Sequence, residues 1–251
     1  MQKQLNIILN GKGGVGKSFF AVNLAQYLKD RRIGHFAIDT DNENSTLSRF
    51  YPDAGFVDIG ADREIDSIFL ALRLNNLVLI DCRAASTDIF LNYFAEIRVF
   101  EMLQILDAAL TIIMPVNHEA DSVEQIKIIT ESFDAQCGYL VVKNQVHSEH
   151  FDIYERSKTR SRVIAELAGR EIVMPRLHDW LVSSLNEKNR LITDALKDEE
   201  FWLVDRQRLK NWQGTFNEQL DSASDWLVPD GDPRVAALKS KKTRSHDELQ
   251  S

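Results

Sequence analysis

A chain of 251 residues is long enough to bury the core of one large α/β domain, and two smaller domains fit the same length. Its 44% hydrophobic and 27% charged residues, with only five prolines, exclude a disordered or fibrous chain. The net charge of -8 argues against a protein that coats nucleic acid with its whole surface, and leaves room for a local basic patch.

In chain order, Leu5 to Leu9 (LNIIL) reads as the first strand and runs into the glycine-rich stretch GKGGVGKS, Gly11 to Ser18. Phe20, Leu24, Ala25 and Leu28 then recur at helical spacing. His35 to Ile38 is the next strand, and Ala54 to Ile59 reads equally as a strand or a loop. Leu77 to Ile80 and Leu110 to Met114 are further strands, the second followed by a helix carrying Val123, Ile126, Ile129 and Phe133. Tyr139 to Val142 and Ile172 to Met174 complete the strand set. From Trp180 onward, Leu181, Leu185, Leu191, Ile192, Leu196, Trp202, Leu209, Trp212, Phe216 and Leu220 predict closing helices.

Near-continuous apolar strands suit a sheet covered on both faces, because neither set of alternating side chains then meets water. Repeated βα units predict an α/β fold: a doubly wound, mostly parallel sheet with helices on both faces and a helical C-terminal region. A single domain is expected over 1–227. The segment 228–251 is polar, turn-rich and then basic, and is expected to be a mobile tail. Cys82 and Cys137 lie far apart without metal-ligand spacing, which argues against a disulfide framework. Neither an export signal nor an apolar run of membrane-spanning length is expected, so the chain is read as cytoplasmic.

The chemistry starts where the first strand ends. Gly11, Gly13, Gly14 and Gly16 let the backbone bend tightly and bring its amides against phosphate oxygens at a helix N-terminus. Lys17 can bridge the outer phosphates, and the Ser18 hydroxyl can bind Mg²⁺. Lys12 is one lysine more than such a loop needs.

With Lys12, the stretch KGGVGKS resembles the deviant Walker A motif of the ParA/MinD family of P-loop ATPases. The resemblance implies ATP and Mg²⁺ as ligands and places Gly11, Lys12, Gly13, Gly14, Val15, Gly16, Lys17, Ser18 and Phe19 around the nucleotide. It implies an ATP-sandwich homodimer in which Lys12 reaches the partner's phosphates. AIDTDNENSTLS, Ala37 to Ser48, resembles the family's switch I, which makes Asp41 the catalytic aspartate that orients water and Asp39 a supporting group on the Mg²⁺ side. On the residues alone, aspartate and asparagine after a strand commonly form a turn, which is the alternative for Asp41. The family's usual proline and glutamine are here Asn42 and Glu43.

Asp81 ends a run of four apolar residues and resembles a Walker B carboxylate holding Mg²⁺. The switch II that follows departs from the family's proline-containing pattern, reading Cys82, Arg83, Ala84 and Ala85. Cys82 invites comparison with the cluster-binding cysteines of the nitrogenase iron protein, and reads more simply as a small buried hydrophobe. By position in the family pattern, Asn144 reads the adenine edge, while Pro175, Arg176 and Leu177 border the base. An asparagine terminating a strand is the alternative for Asn144.

The motif combination is most similar to the plasmid stability and conjugation branch, StbB-like or TraL-like proteins. This implies a homodimer formed with ATP, an adaptor or DNA-binding partner protein, and direct DNA contact as a further expectation. The tail, with Arg234, Lys239, Lys241, Lys242 and Arg244, carries too little apolar surface for a membrane helix. Three functional readings stand: an ATP-dependent dimerising switch acting on plasmid DNA, a small-molecule kinase or ligase using the same loop, and a non-hydrolysing nucleotide-binding scaffold.

Overall fold

A computed structural model describes residues 2–61 and 63–229. Seven strands form one sheet: β1 (Lys3–Ile8), β2 (Phe36–Asp39), β3 (Gly55–Phe56), β4 (Leu77–Asp81), β5 (Ala108–Val116), β6 (Gly138–Asn144) and β7 (Arg170–Met174). Their order is β3-β2-β4-β1-β5-β6-β7, and every pairing is parallel. Ala54 to Ile59, open between strand and loop in the sequence, contributes the two-residue edge strand β3 beside β2.

The helices are α1 (Lys17–Asp30), α2 (Thr46–Phe50), α3 (Ser67–Leu74), α4 (Thr87–Glu96), α5 (Val99–Ile105) and α6 (Ala120–Phe133). After β6 come α7 (Asp152–Glu155), α8 (Lys158–Ser161) and a π-helical turn (Arg162–Glu166). After β7 come α9 (Asp179–Glu187), α10 (Ile192–Ala195), α11 (Leu203–Ser222) and α12 (Ser224–Leu227).

Alternation along each strand feeds two separate cores. Ile8, Leu79, Ile113, Leu140 and Val142 face one side, where α1, α9 and α11 cover them with Phe20, Leu24, Leu28, Leu181, Leu185, Leu209, Trp212 and Phe216. Leu5, Ile7, Ile80, Ile112, Met114 and Val141 face the other, under Ile68, Phe90, Phe94, Leu103, Ile126 and Phe133 of α3 to α6. Burying aliphatic side chains on both faces, at about 25 cal/mol per Å² removed from water, is what makes the strands read as unbroken apolar runs. Buried polar groups of β1 are satisfied: Asn6 Nδ2 donates to Leu227 O at 2.8 Å, tying α12 to the sheet.

Two details depart from expectation. Trp202 is 67% exposed at the start of α11 instead of closing the core. Val228, expected in the tail, is buried with the α12 residues before it. The rest of the expected tail, 230–251, lies outside the described residues.

The topology places the functional end. From β1 the chain moves to one side through β2, and from β4 it crosses β1 to reach β5 on the other. Ligands of such sheets bind at the carboxyl ends of the strands where the order reverses, here above β1.

Candidate functional site

The loop after β1 sits at that point. Gly14 and Gly16 have φ of 75° and 94°, which side-chain-bearing residues rarely adopt, and Gly16 caps α1. A Cβ on Gly14 would meet nothing within 4 Å, so the loop is open above that position. A Cβ on Gly16 would lie 2.2 Å from Asn144 Nδ2. The loop therefore rests on the end of β6 and opens toward a cavity.

Its two lysines have opposite environments. Lys17 is 7% exposed on the cavity wall, with Nζ donating to Lys12 O at 3.1 Å. Burial lowers its pKa, while nearby Asp81 and Asp41 oppose that shift. Lys12 points away from the cavity, where Nζ lies 3.2 Å from Glu119 Oε2 and 3.3 Å from Asp121 Oδ2. Hydrogen bonding to Glu119 and then to Asp121 raises its pKa. Gly11 and Val15 also stand off the cavity: a Cβ on Gly11 would collide with Gln125 Oε1, and the Val15 side chain is core. Gln125 Oε1 accepts from Gly11 N at 3.2 Å and from Thr87 Oγ1 at 2.7 Å. This clamp between loop and α6 has no motif in the sequence to announce it.

Asp81 ends β4 and is 1% exposed, and neither of its carboxylate oxygens has a hydrogen-bond partner. Burial raises its pKa to about 7, with Asp39 adding to the shift; the facing Ser18 hydroxyl and Lys17 oppose it, although Ser18 falls short of hydrogen-bond geometry. An orphaned buried carboxylate beside a hydroxyl and an ammonium fits a hard cation, which takes oxygen ligands. Mg²⁺ therefore fits Ser18 and Asp81.

Asp39 does not share that role. Its Oδ1 accepts from Asp41 N at 3.0 Å and its Oδ2 from Ser48 N at 2.9 Å, so both oxygens organise the switch segment instead of facing a metal. Asp41 lies on the cavity wall and also forms the turn: Oδ1 accepts from Glu43 N and Asn44 N, and Oδ2 accepts from Asn44 Nδ2. Partial burial pushes its pKa up, but the hydrogen bonds from Asn44 and Glu43 and the charge of Arg83 outweigh it and leave the carboxyl below its ordinary value.

The cavity has a volume of about 740 Å³. Gly13, Gly14, Gly16, Lys17 and Ser18 form its floor, with Asp41, Asn44, Cys82, Arg83 and Ala84 on the switch side. Phe19, Asn144, Val146, His147, Pro175 and Leu177 line the far side. A third wall, absent from the sequence reading, comes from Val22 and Asn23 of α1, Arg49 and Phe50 of α2, and Val182, Leu185, Asn186, Arg190, Leu191 and Ile192. Arg49 Nη2 donates to Asn186 Oδ1 at 3.0 Å across it.

Of the residues expected around a base, Pro175 and Leu177 line the cavity. Trp212 Nε1 donates to Pro175 O at 2.8 Å and so anchors that turn to α11. Arg176 turns outward, 54% exposed, toward Asp179 at 3.7 Å. Asn144 Nδ2 donates to Val15 O at 2.9 Å and its Oδ1 accepts from Val146 N at 3.1 Å, so its amide braces the phosphate loop instead of standing free for a base edge. Cys82 is 1% exposed and its thiol pKa is raised well above the ordinary value by burial. No group of three or more metal-ligating side chains is present among the described residues.

Known proteins agree with this architecture. The chain is 28% identical over 240 residues to Protein TraL of Escherichia coli, covering 88% of this chain and 98% of TraL. It is 26% identical over 229 residues to Protein MobD of Acidithiobacillus ferrooxidans, with the same coverage of 88% and 98%. Among solved structures, the septum site-determining protein MinD of Pyrococcus horikoshii OT3, complexed with Mg-ADP, shares the fold at a TM-score of 0.51 and 16% identity, covering 85% of this chain and 95% of that one. Residues 6–201 match the CobQ/CobB/MinD/ParA nucleotide binding domain, and the chain belongs to that family.

Proposed function

We propose that the chain is an ATP-dependent molecular switch that dimerises around bound nucleotide and acts on plasmid DNA, in its positioning or its transfer, through an adaptor or DNA-binding partner. The observation that carries this reading is the division of labour between the two loop lysines. Lys17 serves the cavity of its own chain, whereas the Lys12 ammonium stands outside that cavity on an exposed rim. Ion pairs open to solvent are weakly held, so the contacts of Lys12 with Glu119 and Asp121 are readily exchanged for the phosphates of a neighbouring copy.

In this reading the Gly13, Gly14 and Gly16 backbone and Lys17 bind the phosphates, and Asp41 orients a water toward the terminal one. Ser18 and Asp81 would hold Mg²⁺, which when bound supplies charge neutralisation along the phosphate chain. Similarity to TraL supports the plasmid context, and a cytoplasmic setting follows from the same reading.

The test is light scattering of size-separated protein under ADP, ATP and a non-hydrolysable ATP analogue, with and without DNA. The parent is expected to be monomeric with ADP and dimeric with the triphosphates, and Lys12→Ala is expected to stay monomeric in all three. A Lys12→Ala chain that dimerises with ATP like the parent overturns the reading.

A second reading, a small-molecule kinase or ligase, is supported by one observation. The cavity extends past the loop into an apolar recess between Val22, Phe50, Leu191 and Ile192, where an acceptor would fit. ATP turnover that rises with a small acceptor, and not with DNA or protein, would favour it.

A further inference from the structure

The segment after β4 departs from the family pattern, and the departure brings an arginine to the wall of the cavity above the phosphate loop. Arg83 N donates to Thr40 Oγ1 at 3.0 Å, and Thr40 Oγ1 donates to Asp81 O at 3.1 Å. On the other side Ala85 N donates to Gly11 O at 3.0 Å, and the Ala84 methyl lies 3.8 Å from where a Cβ on Gly13 would stand. Residue 83 is thus pinned between the end of β2 and the first glycines of the loop. Ala85 holds a left-handed φ of 54°, a strained conformation for alanine that those contacts maintain.

The Arg83 side chain is half-buried on the cavity wall shared with Gly13, Lys17 and Asp41. Its Nη2 rests 3.5 Å from where a Cβ on Gly60 would stand, and among the described residues the guanidinium has no hydrogen bond or ion pair. Its charge is felt by Asp41, but both oxygens of that carboxylate are already acceptors for Glu43 and Asn44. A half-buried guanidinium with unused donors, on a residue that lines a cavity floored by glycines and a lysine, is complementary to an oxyanion with several oxygens once it swings from Gly60 toward the cavity. The loop backbone serves the inner phosphates, and Lys17 reaches toward the outer ones. Arg83 acts on Asp41, the group read above as facing the terminal phosphate, so a second cation on this side adds to Lys17 at the outer end of the phosphate chain.

We propose that Arg83 recognises the terminal phosphate of a nucleoside triphosphate bound in its own chain, and so couples the presence of that phosphate to the Asp41 turn. The proposal rests on the reading that this cavity takes ATP. It adds to Lys12 a second cation, one that acts within the chain and tells triphosphate from diphosphate before any partner arrives.

The experiment is calorimetric titration of ADP and of a non-hydrolysable ATP analogue, each with Mg²⁺, into the parent chain, Arg83→Ala, Arg83→Lys and Lys17→Ala. Protein is kept dilute enough to be monomeric, as checked by light scattering. Charge-assisted contacts of this kind change affinity by roughly tenfold to a hundredfold. Arg83→Ala is therefore expected to lose that much affinity for the triphosphate while its ADP affinity stays within about twofold. Arg83→Lys is expected to recover part of the loss, and Lys17→Ala to weaken both nucleotides. Equal weakening of both nucleotides by Arg83→Ala, which indicates damage to the loop, overturns the proposal, and so does a variant indistinguishable from the parent. If the parent binds neither nucleotide, the functional reading falls first and Arg83 has no phosphate to meet.

Discussion

β2 and β4 lie side by side, and each ends on a buried aspartate, Asp39 and Asp81, paired in register. The chain treats the two carboxylates in opposite ways. Asp39 spends both oxygens on the amides of Asp41 and Ser48, and so fixes the course of the backbone from β2 into α2. Asp81 has no partner for either oxygen and titrates near 7. Burial alone does not distinguish a carboxylate with a structural task from one left without partners. What distinguishes them is whether the following backbone turns back to donate. After β2 the chain curls into a turn whose amides point inward. After β4 the amides are committed elsewhere, with Cys82 N on Ile8 O and Arg83 N on Thr40 Oγ1.

The largest expected effect that would break this contrast is a pH dependence owned by Asp81. Its folded carboxyl titrates near 7 against an ordinary value of 3.8, so between those values the folded, metal-free chain binds more protons than the unfolded chain. Its contribution to stability is therefore most favourable below pH 4 and declines as pH rises toward 7, by up to about 4 kcal/mol. Urea unfolding from pH 4 to 8 should show this slope in the parent and its loss in Asp81→Asn, which should be the more stable chain at pH 8. Equal slopes in the two would show that Asp81 is not the strained partner.

Next in size is Asp39→Ala. It leaves the amides of Asp41 and Ser48 without their charged acceptor, a loss of about 3 kcal/mol in unfolding free energy. Removing the Asp39 charge should also move the Asp81 slope to lower pH, because that charge adds to the upward shift. A stability loss under about 0.5 kcal/mol would place Asp39 with the surface residues and dissolve the contrast.

The smallest effect is expected from Ser48→Ala. Ser48 acts through its amide, and its buried hydroxyl has no partner, so the substitution should change unfolding free energy by no more than about 0.5 kcal/mol. A larger loss would mean that the hydroxyl holds the segment in place of Asp39.

Much of the fold was legible because strands covered on both faces read as apolar runs. β1, β4 and β6 needed no other signal. β3 did not qualify, being two residues at the sheet edge. The places of the glycine-rich loop and of Asp81 were legible for a related reason: each follows a local sequence pattern at a strand end. The roles of Asp39, Asn144 and Arg176 depend on which way the neighbouring backbone and side chains turn, and spacing does not encode that. Gln125, Arg49 and Asn186 were beyond reach because each reaches the site, or its supports, from a distant part of the chain. Trp202 misled because its place among closing helices suggested a core aromatic, whereas the start of α11 overhangs solvent.

The contact between Gly16 and Asn144 links two positions that are distant in the chain. Any side chain at 16 must adopt a φ of 94° and enter space held by an amide nitrogen 2.2 Å away, while a smaller residue at 144 would leave the Val15 carbonyl without its donor. Neither position can drift alone. Shrinking residue 144 would open space beside position 16 without relieving its backbone, so a change at the end of β6 alone cannot repair a side chain placed at Gly16.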